Sequence, residues 1–181
     1  MIRGVNIPMV EHLVEQCMDN TESDALYVDE LVNGLVDKCC DKLDAYVAYV
    51  ADILNKAGDT SEPITDQELD DIIMTLPAQM YFASESQERL GIRHDVSATN
   101  RQFLYNKLYS EAVGTVGFRK AKAESELVNE DIALIVYERA YNQIKAKLAY
   151  ALELLQSAKK VLGRRVAAME LSRSTVSRER S

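Results

Sequence analysis

Two small clusters hold residue types that can bind a metal or move a proton. Glu11, His12 and Glu15 fall within about one helical turn, and His94 stands beside Asp95 in the stretch GIRHD. A zinc-protease helix needs two histidines four residues apart with a glutamate after the first, and HExxH is absent from a chain with only two histidines. His94 has no serine or cysteine in a nucleophile motif to activate. The acidic residues around His12 read as the solvated face of a surface helix. No catalytic residues, metal site or cofactor are therefore expected, and an enzyme is the least supported class.

The stretch GTVGFRK, residues 114–120, places two glycines beside an aromatic and two cations. A phosphate-binding Walker loop has four residues between its glycines and a lysine directly after the second, so this is not one. The GxxG of a KH domain belongs to a fold with strands, for which this sequence has no pattern. The plain reading is a weakened point in a helix, although flexible glycines next to Phe118, Arg119 and Lys120 also suit contact with a phosphate backbone.

A larger pattern surrounds that stretch. Arg89, Arg93, Arg101, Lys107, Arg119, Lys120 and Lys122 are interleaved with Phe103, Tyr105, Tyr109 and Phe118. Cations neutralise phosphates and release counterions, while aromatic faces stack on bases without sequence preference. The competing reading makes Phe103 and Tyr109 core residues and pairs the cations with Glu111 and Glu124. Lys159, Lys160, Arg164 and Arg165 extend the basic character, and Arg173, Arg178 and Arg180 continue it at the C-terminus. The expected nucleic-acid-binding set is Arg101, Lys107, Arg119, Lys120, Lys122, Lys159, Lys160, Arg164 and Arg165.

Charge is distributed unevenly over the 181 residues. Residues 1–80 carry four basic and seventeen acidic side chains, residues 81–157 balance, and residues 158–181 carry seven basic against two acidic, within a net charge of −8. The acidic half offers a rival function from another class. Glu22, Asp24, Asp29, Glu30, Asp66, Asp70 and Asp71 could dock into a basic cleft of a partner protein, for instance a host nuclease or defence protein inhibited by a phage-encoded binder.

Positioning these groups falls to helices. Leu134, Tyr137, Tyr141, Ile144, Leu148, Ala151, Leu155, Ala158 and Leu162 recur at spacings of three and four, one apolar seam on a helix from about Asn129 to Leu171. The seam requires a helical partner from this chain or another copy. Upstream, Pro8 opens a short helix with Met9, Val10, Leu13, Val14 and Cys17 on its apolar face. Thr21 with Asp24 opens a second, striped by Val28, Leu31, Leu35, Cys39, Leu43, Tyr46, Val50 and Ile53 and ending at Gly58. Residues 58–65, GDTSEPIT, read as a linker, and Thr65 with Glu68 forms a capping box for the next helix. Pro77 restarts a helix that runs to a kink at Gly91, a further helix covers about 96–127, and a turn near Val128–Asn129 folds the seam back as a hairpin.

The expected fold is all-α, a long antiparallel helical hairpin or coiled coil with a smaller acidic N-terminal helical module. Residues 1–60 form that module, 61–172 the long-helix module, and 173–181 a disordered basic tail. Seven Gly, three Pro and no Trp agree with helix. Cys17, Cys39 and Cys40 lack disulfide or metal spacing, and no run reaches the length of a membrane span or resembles a signal peptide. A homo-oligomer in the cytoplasm, of a host cell if phage-encoded, is the expected state.

The order of features from YFASESQERLG to AYNQIKAKLAYALELLQSAKKVLGRRVAAMELS resembles the small phage recombination mediators of the UvsY type. A helix carrying Tyr, Arg and Glu (Tyr105 to Glu124) is followed by a polar break. A second long helix then has aromatics near its start (Tyr137, Tyr141) and a basic end. The resemblance covers roughly the C-terminal hundred residues and implies a non-enzymatic oligomer that binds single-stranded DNA and helps load a RecA-like recombinase. A helical scaffold or adaptor of a virion would need only the seam.

Overall fold

The structure, a computed structural model, describes residues 7–59 and 63–179, with side chains over 22–56 and 63–173. The described residues form four helices and no strand: α1 (Ile7–Asp59), α2 (Asp66–Glu111), α3 (Val116–Ser125) and α4 (Val128–Glu179). None is long and apolar enough to cross a membrane. The chain divides into two compact units. The first contains α1 up to Leu35, α2 from Leu90, α3, and α4 up to Ala140; the second contains α1 from Val36, α2 up to Arg89, and α4 from Tyr141.

The second unit is a three-helix assembly. Leu69, Leu76 and Ala83 of α2 follow at seven-residue intervals, as do Ile144, Ala151 and Ala158 of α4, and all six are buried. Seven-residue spacing keeps one stripe of each helix facing its neighbours. From α1 come Val36, Cys40, Leu43, Val50 and Ile53. Each fully buried Leu, Ile or Val contributes about 1.5–3 kcal/mol, and small Ala83, Ala151 and Ala158 let the backbones approach between them.

Polar links fix the three pairs of helices. The Tyr46 hydroxyl of α1 donates to Oδ2 of Asp71 on α2 at 2.8 Å. Lys147 Nζ of α4 meets Asp44 Oδ2 of α1 at 2.7 Å. Arg165 of α4 donates to Asp66 Oδ1 at 2.6 Å and to the carbonyl of Ile64.

Burial, with the bond to Asp71 second, pushes the Tyr46 phenol from 10.0 up to about 12. The folded state therefore favours the neutral phenol. Its contribution is complete below pH 10 and is lost as pH rises through about 12. Tyr46→Phe is expected to flatten the alkaline fall in unfolding free energy, measured by urea titration between pH 9 and 11.5. An equally steep fall in the variant would assign it to other groups.

Several boundaries differ from expectation. Asp19, Asn20 and Thr21 lie inside α1, so the two N-terminal helices are one. No Pro or Gly lies between residues 9 and 33 to stop it, and a Thr–Asp pair is a permissive start signal that does not compel a break. The side chains of Met9, Val10, Leu13, Val14 and Cys17 lie outside the described residues. Gly58 falls within the last turn of α1 and does not terminate it. In the α1 stripe, Leu43, Val50 and Ile53 are buried as expected, but Val32, Val36 and Cys40 replace Leu31, Leu35 and Cys39. These adjacent apolar pairs offer two parallel rows, and packing selects the second. Cys40 is inert by position, since burial pushes its thiol up to about 11.

The Thr65–Glu68 capping box forms as read. Glu68 Oε2 accepts the Thr65 N–H at 2.7 Å, and Thr65 Oγ1 accepts the Glu68 N–H at 3.2 Å. These bonds hold the Glu68 carboxyl below its usual range. Pro77 and Gly91 sit within α2, neither restarting nor ending it. The expected helix over 96–127 is instead two, because the backbone breaks at 112–115 where Gly114 takes φ 139°, a conformation that residues with a Cβ rarely adopt. The hairpin turn lies at Glu126–Leu127, and Asn129 falls in the first turn of α4. At the other end α4 continues to Glu179 where a disordered tail is expected; residues 164–179 contain no Pro or Gly to stop a helix.

The seam on α4 finds its partners within the chain. Ile144, Ala151, Leu155 and Ala158 are buried, and Leu134, Tyr137, Tyr141, Leu148 and Leu162 are half-buried. Val136 and Ala140 take the fully buried places near its start.

Candidate nucleic-acid interface

The first unit contains the break at Gly114 and most of the expected cationic set. Thr115 caps α3, its Oγ1 accepting the Phe118 N–H at 3.4 Å. Ala123 and Leu127 are buried and dock α3 and the following turn. This fixes which side chains of the segment turn inward.

Arg119 turns inward. Its Nη2 and Nε donate to the Tyr109 carbonyl at 2.7 and 3.0 Å, and its guanidinium carbon lies 4.3 Å from the Tyr109 ring centroid. That ring stacks on Tyr105, with centroids 6.1 Å apart and planes at 17°. Tyr109 is in the last turn of α2, where carbonyls lack helical donors and the helix dipole favours a cation. Arg119 thus closes the end of α2 while stacking on it.

Arg101 is also committed to the fold. Its Nη2 donates to Asp131 Oδ2 of α4 at 3.0 Å, and its Nε donates to Oδ1. The bidentate pair holds the Asp131 carboxyl below its usual range through that hydrogen bonding and raises the Arg101 guanidinium further. Together with Arg165 in the second unit, three of the nine expected nucleic-acid contacts act as internal ties.

The remaining six are exposed. In the first unit Lys120 makes a loose 3.9 Å pair with Glu124, while Lys107 and Lys122 make no ion pair among the described residues. In the second unit they are Lys159, Lys160 and Arg164. Phe118 is 57% exposed, and its ring lies against Gly114, where a Cβ would stand 2.9 Å from it. Phe118 and Lys122 are four residues apart on α3 and therefore neighbours on its outer side.

The other expected residues divide similarly. Asp29 pairs with Arg139 at 3.7 Å, Asp66 with Arg165, and Asp71 accepts from Tyr46, while Glu22, Asp24, Glu30 and Asp70 are exposed. His94 Nδ1 and Asp95 Oδ1 are 3.2 Å apart on the surface, with no third group among the described residues. Among the described residues no cluster of three or more His, Cys, Asp or Glu could hold a metal ion. The side chains of Glu11, His12, Glu15, Arg178 and Arg180 lie outside the described residues.

One feature of the first unit has no counterpart in the expected set. Tyr27, Leu31 and Leu35 of α1 face Ile132, Ala133, Val136 and Tyr137 of α4 across a groove of about 410 Å³. Its signals in the sequence are the double apolar row of α1 and Tyr137 of the α4 seam. Fold and surface together describe an all-helical protein, and comparisons with models of protein families, with curated proteins and with solved structures find no match.

Proposed function

We propose that the protein is a non-enzymatic accessory protein that binds single-stranded nucleic acid through the outer side of α3. The observation that carries this is the exposed Phe118 ring, seated on Gly114 with Lys122 one turn further along. An aromatic held rigidly beside a free ammonium offers a base a stacking face and the adjoining phosphate a counter-charge. Lys107 and Lys120 add charge from the same unit. Loading of a RecA-like recombinase is the finer role that the mediator resemblance brings, with single-stranded DNA as ligand and the recombinase as protein partner. The acidic rival draws less support, because Asp29, Asp66 and Asp71 are already used within the chain.

The test is fluorescence anisotropy of a labelled single-stranded oligonucleotide at two salt concentrations. The wild-type protein is expected to bind with a strong salt dependence. Phe118→Ala with Lys122→Ala is expected to weaken binding at least tenfold, since stacking alone is worth about 1–3 kcal/mol per base. The same change should reduce the slope of log K against log salt by about 0.7 for the one lost phosphate contact. Absence of wild-type binding at low salt would sink the function, and an unaffected double variant would move the site away from α3.

A further inference from the structure

Two lysines of the second unit make no ion pair among the described residues, and they share one groove. Residues 36–89 carry twelve acidic side chains and four basic ones, Lys38, Lys42, Lys56 and Arg89. Lys56 pairs with Asp52 and Arg89 with Glu85, each within its own helix. Lys38 and Lys42 have no such carboxylate. They are four residues apart on α1, hence neighbours on one face, and both line a groove of about 380 Å³ between α1 and α2. Every residue of its lining belongs to the second unit.

The wall facing the lysines carries no acid. From α2 it presents Gln79, Phe82 and Ser86. Ser86 Oγ donates to the Phe82 carbonyl at 3.1 Å, whereas the half-buried Gln79 amide makes no hydrogen bond among the described residues. Its two donors and its acceptor are therefore available to a ligand. Phe82 is 60% exposed, and its ring meets Tyr81 edge-on, with centroids 5.9 Å apart and planes at 72°. Buried Leu43 and Ala83 complete the lining below. An apolar floor with a few convergent polar groups, in a volume above about 300 Å³, is the make-up of a small-molecule site.

We propose that this groove binds a free nucleoside monophosphate. The base stacks on Phe82, its polar edge pairs with the Gln79 amide, and the phosphate takes charge-assisted hydrogen bonds from Lys38 and Lys42. Asp41, exposed in the same lining, accepts from a ribose hydroxyl. A nucleic-acid strand is the poorer occupant. Beyond the two lysines, residues 36–89 offer it twelve carboxylates and only the already paired Lys56 and Arg89, so phosphates on either side of the bound unit would be repelled. The groove lies in the second unit and α3 in the first, so the proposal stands apart from nucleic-acid binding at Phe118.

Calorimetric titration of the full chain with adenosine 5′-monophosphate tests it, because a glutamine amide matches the N6 and N7 edge of adenine. Alkylation of Cys39 by iodoacetamide, read by mass spectrometry, reports the place: Cys39 lines the groove and is half-buried, whereas Cys40 is buried. A dissociation constant of roughly 0.1–1 mM is expected, the weak end for an open groove. At about ten times that concentration only about one site in eleven is empty, so alkylation of Cys39 should slow about tenfold. Adenosine and ribose 5-phosphate, each lacking half of the recognition, should bind at least tenfold more weakly. Lys38→Ala with Lys42→Ala should weaken the nucleotide at least tenfold without changing the affinity for adenosine, and Phe82→Ala should weaken both. All three side chains are exposed, so the variants should keep the wild-type helical signal. No heat and no protection of Cys39 up to about 10 mM nucleotide overturns the proposal. Binding that leaves Cys39 alkylation unchanged, or that is indifferent to the lysine variant, does the same. So does protection of Cys39 by an oligonucleotide in the Phe118→Ala, Lys122→Ala protein where the free nucleotide gives none.

Discussion

Leu76→Ala is expected to lower the unfolding free energy by about 2–5 kcal/mol, the usual cost of emptying a fully buried leucine site. Leu76 is completely inaccessible and lies on the α2 row with Leu69 and Ala83. Both the lost transfer free energy and the cavity contribute, because neighbours on α1 and α4 are held by helices that cannot collapse locally. Urea unfolding followed by circular dichroism measures the loss. Met74→Ala, two residues away on the exposed side, provides the control and should change stability by about 0.5 kcal/mol or less. Similar losses at both positions would mean that α2 packs in another rotational register.

Breaking the Arg101–Asp131 pair should cost about 1–2 kcal/mol, and should do so without weakening the folded protein's grip on an oligonucleotide. Hydrogen bonds to charged groups contribute about 1.5–3 kcal/mol, discounted here because the side chains are 28% and 41% exposed and solvent screens them. The sign of the pH dependence follows from Asp131, whose carboxyl is held below the ordinary 3.8. Its contribution is present above that value and disappears as pH falls through the lower folded one. Asp131→Asn should therefore be less stable than wild type at pH 7, with the gap closing below about pH 4. Arg101→Ala should behave likewise in denaturation and retain wild-type anisotropy. A stable Arg101→Ala protein with weakened binding would return Arg101 to the nucleic-acid surface.

The helical class and the Thr65–Glu68 cap were legible because each is written within a few residues. The α4 seam was legible because it persists for several heptads without Pro. Arg119 and Arg101 were not, because their partners lie ten and thirty residues away on other helices, and a cation looks the same in sequence whether it faces solvent or a carboxylate. The first half of the α1 stripe lies one residue further along than the spacing suggests, because Leu31-Val32, Leu35-Val36 and Cys39-Cys40 each offer two apolar neighbours, whereas Leu43, Val50 and Ile53 are buried as expected. Pro77 misled for a different reason. A proline inside a helix forfeits one hydrogen bond and costs about 3 kcal/mol, which the buried row around Leu69, Ile72 and Leu76 is large enough to offset. On the candidate interface, Phe118 and Lys122 were visible as residue types. That they are exposed together while Arg119 between them turns inward is visible only in the folded chain.

Sequence separation sets the order in which the second unit can close during synthesis. The Tyr46–Asp71 bond spans 25 residues, whereas Lys147–Asp44 and Arg165–Asp66 span 103 and 99. α1 and α2 can meet while the ribosome is still making the remainder, but α4 arrives last. At bacterial-to-eukaryotic elongation rates of about 5–20 residues per second, roughly 4–15 seconds separate translation of Arg89 from that of Arg165. Throughout that interval the inner faces of a nascent two-helix hairpin, Leu43 and Leu76 among them, await their third wall. The chain's most vulnerable species is therefore its own unfinished form, the one a ribosome-associated chaperone would have reason to hold.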